Sequence, residues 1–404
     1  MKNLSKDTFD LQLLKAWITL RYNPSEKCFI SGNKKNNSSR KLTVEDFKTE
    51  KYNIPTDKLA DRLREESTNI VRTIASNIPA KSRIGVLSSG GIDSSTVLGI
   101  LVKLGYKPEA FTVGFGAEND EIESASIVTK HFGVKHHIKI LDSILGSTAV
   151  SSSALEEPYR AACFYYDALK FPRDSGITYV FDGLGVDEFY GGYGFRYEKV
   201  AQFTKNGYSK TDAYLRGSHP NDYTDNNEML GPKLKETKVD WDTLFPYFDN
   251  NLSPIDQLLL TDYNTKCRQN FIPLANYDKS LGIHIYYPWL SDAFIDFSLH
   301  IPDELKYNPS TGETKILFRK AFENMLPTQT LKKPKQGFGP SLNKVYKELR
   351  PIAEGTVPDG TMVSEGYLNK TYYKKVLGKD APTTVEINKL WDAYALEVFL
   401  SQRK

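Results

Sequence analysis

The run Ser89-Gly90-Gly91-Ile92-Asp93-Ser94-Ser95 has the residue types and spacing of a phosphate-binding loop. Two glycines remove Cβ atoms where a backbone must approach a phosphate closely, and the serine hydroxyls add donors. A helix starting just after the glycines would aim its free N–H groups at the same anion. Asp93 repels a phosphate unless a cation lies between them. Magnesium, held by one or two carboxylates together with phosphate oxygens, resolves that conflict. The Gly-Lys-Ser/Thr ending of a Walker loop is absent, so the chemistry differs from γ-phosphate transfer by that device. The plainer alternative is a Gly-Ser turn in which Asp93 caps a helix.

Such a loop needs elements that hold it open at one edge. Ile84–Ser88 reads as a buried strand and Ser94–Leu104 as a helix, Ala110–Phe115 as a second strand and Glu121–Phe132 as a second helix. His136–Ile140 is a third strand and, after a longer helical stretch, Ile177–Asp182 a fourth. Strands alternating with helices imply right-handed crossovers and a doubly wound, parallel α/β sheet. Ligands of such sheets bind at the carboxyl ends of the strands. Asp187, just after the fourth strand, falls on the same edge as Asp93, so the two can hold one or two magnesium ions between them. Otherwise Asp187 and Glu188 merely begin a turn or helix.

Upstream, Thr56 is placed to cap a helix whose Leu59, Leu63, Ile70 and Ile74 recur at helical spacing. Residues 1–55 read as a small irregular N-terminal region, in which Asn33 to Lys41 is a solvated basic loop. Residues 200–255 are polar and turn-rich, an insertion or mobile surface segment; from Pro254 onward the periodicity is helical and should close the cleft from one side. The composition is that of a globular protein, 40% hydrophobic and 25% charged over 404 residues. With 53 Lys and Arg against 50 Asp and Glu there is no footprint for nucleic acid. Three scattered cysteines (Cys28, Cys163, Cys267) suit reduced thiols, and no apolar run reaches the roughly 18 residues of a membrane span. A soluble, cytoplasmic protein is expected, with no membrane partner.

The Ser89–Ser95 loop resembles the PP-loop of the N-type ATP pyrophosphatases, which cleave ATP between its α and β phosphates. Thr112-Val113-Gly114-Phe115, then Asp120-Glu121 and His136-His137, resemble the second strand and following helix of asparagine synthetases. Asp182-Gly183-Leu184-Gly185-Val186-Asp187-Glu188, with Gly191-Gly192-Tyr193 after it, resembles their second acidic loop. Tyr287-Pro288-Trp289-Leu290-Ser291-Asp292 echoes their Pro-Phe-Leu-Asp element; Lys315 and Arg319 match their Lys-x-x-x-Arg helix, and Lys332 to Gly339 their late lysine loop. The likeness runs in one order over roughly residues 56 to 345. It implies a PP-loop fold over residues 56–404, covered by C-terminal helices, with ATP and magnesium as cofactors. It also implies that Leu87, Val113 and Gly183 hold adenine and ribose, that Ser89, Gly90, Gly91, Ser94 and Ser95 cradle phosphates, and that Lys335 stabilises developing negative charge on them. Lys315 and Arg319, one helical turn apart, either reach phosphate or form surface ion pairs.

Two departures bear on substrate. Leu184 stands where asparagine synthetases have glutamate and β-lactam synthetases tyrosine, and leucine can neither accept a proton nor orient an amine. His284 and Tyr286 replace the glutamate and arginine of a Glu-x-Arg-x-Pro pattern; His284 is either a base near neutral pH or a histidine of the cleft wall. Asp182 replaces the usual serine. At the front, Met1 is followed by Lys2 rather than a catalytic cysteine, and a glutaminase domain of ordinary length, roughly 100–150 residues, does not fit ahead of Ser89. The leading expectation is an ATP-dependent amide-forming ligase: a small-molecule or peptide carboxylate becomes an acyl-adenylate and is passed to ammonia, free or from a separate glutaminase subunit, or to another amine. A β-lactam-synthetase-like or peptide-cyclase-like enzyme with an amine inside the substrate is the second expectation. A tRNA-modifying enzyme finds no RNA surface in the balanced charge, and intact Asp93, Asp187 and Lys335 stand against a degenerate nucleotide-binding partner subunit.

Overall fold

The computed structural model describes residues 8–35, 39–116, 121–223, 227–272, 276–335 and 337–403; Asp120 and Gln336 of the motifs above, and part of the Asn33 to Lys41 loop, lie outside them. Five strands, β1 (Ile84–Leu87), β2 (Glu109–Gly114), β3 (His136–Ile140), β4 (Tyr179–Phe181) and β5 (His284–Tyr286), form one parallel sheet in the order β3-β2-β1-β4-β5. The order reverses at β1, so the carboxyl ends of β1 and β4 flank the crevice where doubly wound sheets take ligands. Four strands fall where the sequence pattern puts them. β5 was not anticipated: the His284 segment extends the sheet beside β4, with Tyr179 opposite His284 and Phe181 opposite Tyr286.

Period-two burial explains why helices cover both faces. Ile84, Val86, Ala110 and Phe181 join one core with Leu59, Leu63, Ile70 and Val71 of the helix Thr56–Ser76 and with Val97 and Leu101 of the helix Ile92–Lys103. Phe111 and Val180 face the other way, against Tyr166 and Leu169 of the helix Ala162–Asp174. The helix at Thr56 is capped by Pro55, without a side-chain bond, rather than by Thr56 itself. At the amino edge, Arg83, Lys135 and His137 converge on Glu109, at 2.7, 3.3 and 2.6 Å. The Arg83 guanidinium holds that carboxyl down at about 2 in spite of its partial burial. His136 bonds Thr112 Oγ1 at 2.8 Å. Both histidines of the motif therefore tie strands together.

A third core forms above the carboxyl edge. It unites Leu14, Trp17 and Ile18 of the helix Leu11–Leu20 with Val345 and Leu349 of the helix Leu342–Glu354 and with Leu390, Leu396 and Phe399 of the helix Thr384–Ser401. The N-terminal residues are thus built into the body: Lys389 Nζ donates to the Ile18 and Thr19 carbonyls at 2.7 and 2.8 Å, and Trp17 Nε1 to that of Pro158 at 2.9 Å. The 200–255 region is likewise incorporated rather than a mobile surface segment. The helices Gly194–Lys205 and Lys210–Ser218 pack together, and the adjoining His219 and Asp222 are buried. No helix among the described residues is long and apolar enough to cross a membrane.

Candidate active site

Leaving β1, the chain turns at Gly90, whose φ of +67° is left-handed. A Cβ there would lie 2.2 Å from the Ser124 carbonyl carbon, so no other residue fits. Gly91 then caps the helix Ile92–Lys103 with no side-chain bond, leaving the first N–H groups open toward the loop. The hydroxyls are loosely held: Gly91 N donates to Ser89 Oγ at 3.3 Å and Ser89 N to Ser94 Oγ at 3.4 Å. Ser95 Oγ, fully buried, has no partner among the described residues. Asp93 belongs to the first helical turn and is not the cap.

The loop after β4 presses on this helix start. A Cβ at Gly183 would meet Ser94 N at 2.5 Å, and one at Gly185 (φ +124°) the Trp289 carbonyl oxygen at 2.6 Å. Trp289 Nε1 in turn donates to the Asp93 carbonyl at 3.2 Å, so the Pro288–Leu290 turn braces both loops. Asp182, unexplained by the resemblance, organises this turn. Its Oδ1 accepts from Leu184 N at 3.0 Å and its Oδ2 from Tyr165 Oη at 2.7 Å, with Tyr287 Oη 3.1 Å from that of Tyr165.

At the centre, two carboxylates share two lysines. Lys315 Nζ lies 2.7 and 2.8 Å from the oxygens of Asp93 and 2.6 Å from Asp187 Oδ1, while Lys335 Nζ contacts Asp187 Oδ2. Lys315 is only 4% exposed, and its φ of 55° is left-handed, a conformation costing a side-chain-bearing residue about 1–2 kcal/mol. Its N–H donates to the carbonyls of Tyr190 and Lys306, at 2.9 and 2.8 Å, which holds it there. Gly192 makes room: a Cβ would fall 1.8 Å from Asp187 Oδ1. Burial pushes the Asp187 carboxyl up, but Lys315 and Lys335 outweigh it and hold it well below the carboxylate range. For Asp93 burial wins against Lys315, and the Asp187 charge adds to the rise. Since one ammonium touches both carboxylates, they lie close enough to share a single cation. Two carboxylates completed by phosphate oxygens and water are a magnesium donor set, and among the described residues no group of three or more His, Cys, Asp or Glu could hold a metal ion.

Glu188 lies behind this array, 1% exposed, accepting from Tyr193 Oη at 2.8 Å. Burial, then the Asp187 charge, lifts its carboxyl to about 7. The folded protein therefore keeps a proton here that the unfolded chain releases, and stability from this group is present at low pH and lost as pH rises toward neutrality. Glu188→Gln keeps the neutral form at every pH. Its melting temperature should gain on the parent by roughly 2–4 °C between about pH 5 and about pH 8; a constant difference in thermal scans of the ligand-free protein would refute this.

Eleven of the anticipated residues line one cavity of about 550 Å³: Leu87, Ser89, Gly91, Asp93, Ser94 and Val113, with Gly183, Asp187, Lys315, Arg319 and Lys335. Gly90 and Ser95 belong to the loop but do not line the cavity. Arg319 neither forms a surface ion pair nor points free; Nε donates to the Thr314 carbonyl at 3.0 Å and Nη1 to that of Leu331. Lys333, of the late lysine loop, donates to the Ser89 carbonyl at 3.2 Å. His284 is a correction. It is exposed at the amino end of β5, stacked on Tyr179 with ring centroids 5.0 Å apart, and does not line the cavity. The parallel register puts it level with the first residue of β4, whereas the site begins beyond the last. His284→Gln should leave turnover of ATP within about twofold, as for ordinary surface positions; a tenfold loss would restore it to the site.

The sequence reading missed the far wall of the cavity. Arg21 and Tyr22 come from the N-terminal region, Arg160 from just before the helix Ala162–Asp174, Arg196 from the helix Gly194–Lys205, His219 from the polar insertion and Lys266 from the segment Asp262–Phe271. Leu184 lines the cavity as well and keeps that point of the wall apolar.

Among known proteins, the chain is similar to the glutamine-hydrolysing asparagine synthetase of Gallus gallus, 28% identical over 288 residues, which cover 68% of this chain and 42% of that protein. It is similar to asparagine synthetase 1 of Bacillus subtilis (strain 168), 23% identical over 80% of this chain and 56% of the other. The Homo sapiens enzyme is 25% identical over 74% of this chain and 49% of its own length. The chain thus spans about half the length of these relatives. The pattern of the asparagine synthase family matches residues 68–401, the whole sheet and most of its covering helices, and the chain belongs to that family.

Proposed function

We propose that the chain is an ATP-dependent ligase that forms carbon–nitrogen bonds through an acyl-adenylate. The observation that carries this reading is the convergence of a glycine loop with Asp93, Lys315, Asp187 and Lys335 in one cavity at the carboxyl edge. A substrate carboxylate oxygen attacks the α-phosphorus of ATP; the bond to the bridging oxygen of the β-phosphate breaks, and pyrophosphate leaves. The nitrogen of ammonia or another amine then attacks the acyl carbon, loses a proton, and AMP departs. Asp93 and Asp187 would hold magnesium, whose charge would neutralise the pyrophosphate. The open N–H groups after Gly91 hold phosphate oxygens, and Lys335 and Lys315 place positive charge where the leaving group gathers negative charge. Asp182 is the group assigned to the amine proton, since Leu184 cannot take it. That apolar residue also favours a second reading, in which the amine belongs to the substrate and needs no separate binding point. Product analysis tests the proposal: AMP and pyrophosphate are expected in the presence of a carboxylate substrate and an amine, and ADP with phosphate would overturn it.

A further inference from the structure

Beyond the nucleotide loops the cavity opens onto a second charged compartment, which adenylation does not use. Five basic side chains meet three acids there, and the acids are occupied. Asp222 pairs with Arg21 at 2.6 Å and Arg160 at 3.6 Å, and Asp392 with Arg160 at 3.3 Å and Lys389 at 3.9 Å. Asp262 takes hydrogen bonds from Tyr214 Oη at 2.6 Å and Tyr197 Oη at 3.2 Å. The tyrosines are neutral, so the Asp262 charge also acts on Arg196 and Lys266, and the compartment as a whole keeps two cations in excess. Lys266, 7% exposed and lining the cavity, has no hydrogen-bond partner for Nζ among the described residues, and neither has Nη1 of Arg196 beside it. His219 Nδ1, on the same wall, is also unpartnered.

An unpaired buried ammonium destabilises a fold, so packing gives no reason for lysine at this position. Lys266 lies on a π-helical stretch, Asp262–Phe271, a widened geometry that recurs at functional sites. Burial, then the neighbouring Arg196 and Arg21, pushes its ammonium well down, so an anion bound beside it would favour the charged form. The compartment adjoins the reacting centre: Lys266 Nζ and Arg196 Cζ lie 5.6 and 4.3 Å from the Tyr193 ring centroid, and Lys335 Nζ lies 5.7 Å from the same ring.

We infer that Lys266 and Arg196 form a subsite for a phosphate or phosphonate group carried by the substrate, remote from the carboxylate that reacts. Five cations against three carboxylates leave an excess of two, which matches the charge of a phosphate dianion, whereas a second carboxylate would neutralise only one. The identity of the reacting carboxylate rests on the adenylation reading above; the anion subsite does not. The test uses phosphonopropionate, succinate and butyrate, which share one carboxylate and differ at the other end. In pyrophosphate exchange, phosphonopropionate should show a KM about thirtyfold or more below that of butyrate, with succinate between them. Lys266→Met should shrink the difference between phosphonopropionate and butyrate to about threefold, leave the KM for ATP unchanged, and melt at or above the parent temperature because it removes an unpaired charge. Arg196→Met, in a less buried position, gives an independent check of the same loss. Equal use of butyrate, an unaltered preference in both variants, or a preference for succinate overturns the inference. If none of the three acids supports exchange, the result bears on the reacting carboxylate and not on the anion subsite. Calorimetric titration of the parent and Lys266→Met with phosphonopropionate then decides the subsite: binding lost in the variant supports it, and equal binding overturns it.

Discussion

Asp187→Asn should lower carboxylate-dependent pyrophosphate exchange about a thousandfold, the several kcal/mol attributed to a bound metal in phosphoryl chemistry. The carboxylate touches both lysines of the array and is 6% exposed. Two consequences follow from its loss, and they separate experimentally. One is chemical: Asp93 alone would hold magnesium, so half-maximal exchange should need a higher metal concentration. The other concerns folding, because Lys315 and Lys335 would keep only Asp93 as counter-charge; uncovering a buried ion in this way destabilises by about 3–5 kcal/mol. The double variant Asp187→Asn, Lys315→Met removes one cation along with the anion and should recover much of the melting temperature without recovering exchange. Recovery of exchange would show that Asp187 serves only to neutralise Lys315. The pH dependence has a definite sign: a carboxyl held below its ordinary range contributes stability that is present above that range and lost as pH falls through it. Asp187→Asn should therefore approach the parent's stability in acid.

Asp187 also illustrates what was legible in the chain. Short apolar runs bounded by turn residues mark β1 to β4, and crossover chirality makes the sheet parallel without further information. Once the strands are placed, the carboxyl-edge rule brings Asp93 and Asp187 together although 94 positions separate them. Their partner lysines were legible only as motif members, since nothing local to Lys315 announces a left-handed backbone. The three residues of β5 carry too little alternation to register, although Ile283 to Tyr286 between Gly282 and Pro288 is a β-prone run with punctuation at both ends. The far wall failed for a different reason. Composition treats charged residues as solvated, but Asp222 is buried because Arg21 and Arg160 reach it from distant parts of the chain. Polar groups that satisfy one another across such separations look like surface in a sequence, so residues 200–255 read as an insertion while supplying Asp222 and His219 to the interior.

Asp182→Asn should separate the two half-reactions. As the carbon–nitrogen bond forms, the amine must lose a proton, and Leu184 offers no acceptor. Asp182, two residues earlier, lines the cavity and is half-buried. Burial pushes its carboxyl up; the hydrogen bonds from Tyr165 and from Leu184 N pull it back, and the Asp93 charge adds to the rise. A carboxylate raised in this way moves toward the pH at which a general base works best. Asparagine has the same shape: its Oδ1 can still accept from Leu184 N, and its Nδ2 can donate to the Tyr165 hydroxyl oxygen, so the turn should survive. Exchange, which reports adenylate formation, should stay within about threefold, while transfer to the amine falls about a hundredfold or more, the usual contribution of a positioned base. Tyr165→Phe supplies a readout that a scaffold role would not move. It deletes a donor that favours the ionised carboxylate, so the acid limb of the transfer profile should shift to higher pH with little change in exchange. A loss of equal size in both half-reactions would make Asp182 a support of the loop alone, and undiminished transfer in Asp182→Asn would remove it from the chemistry.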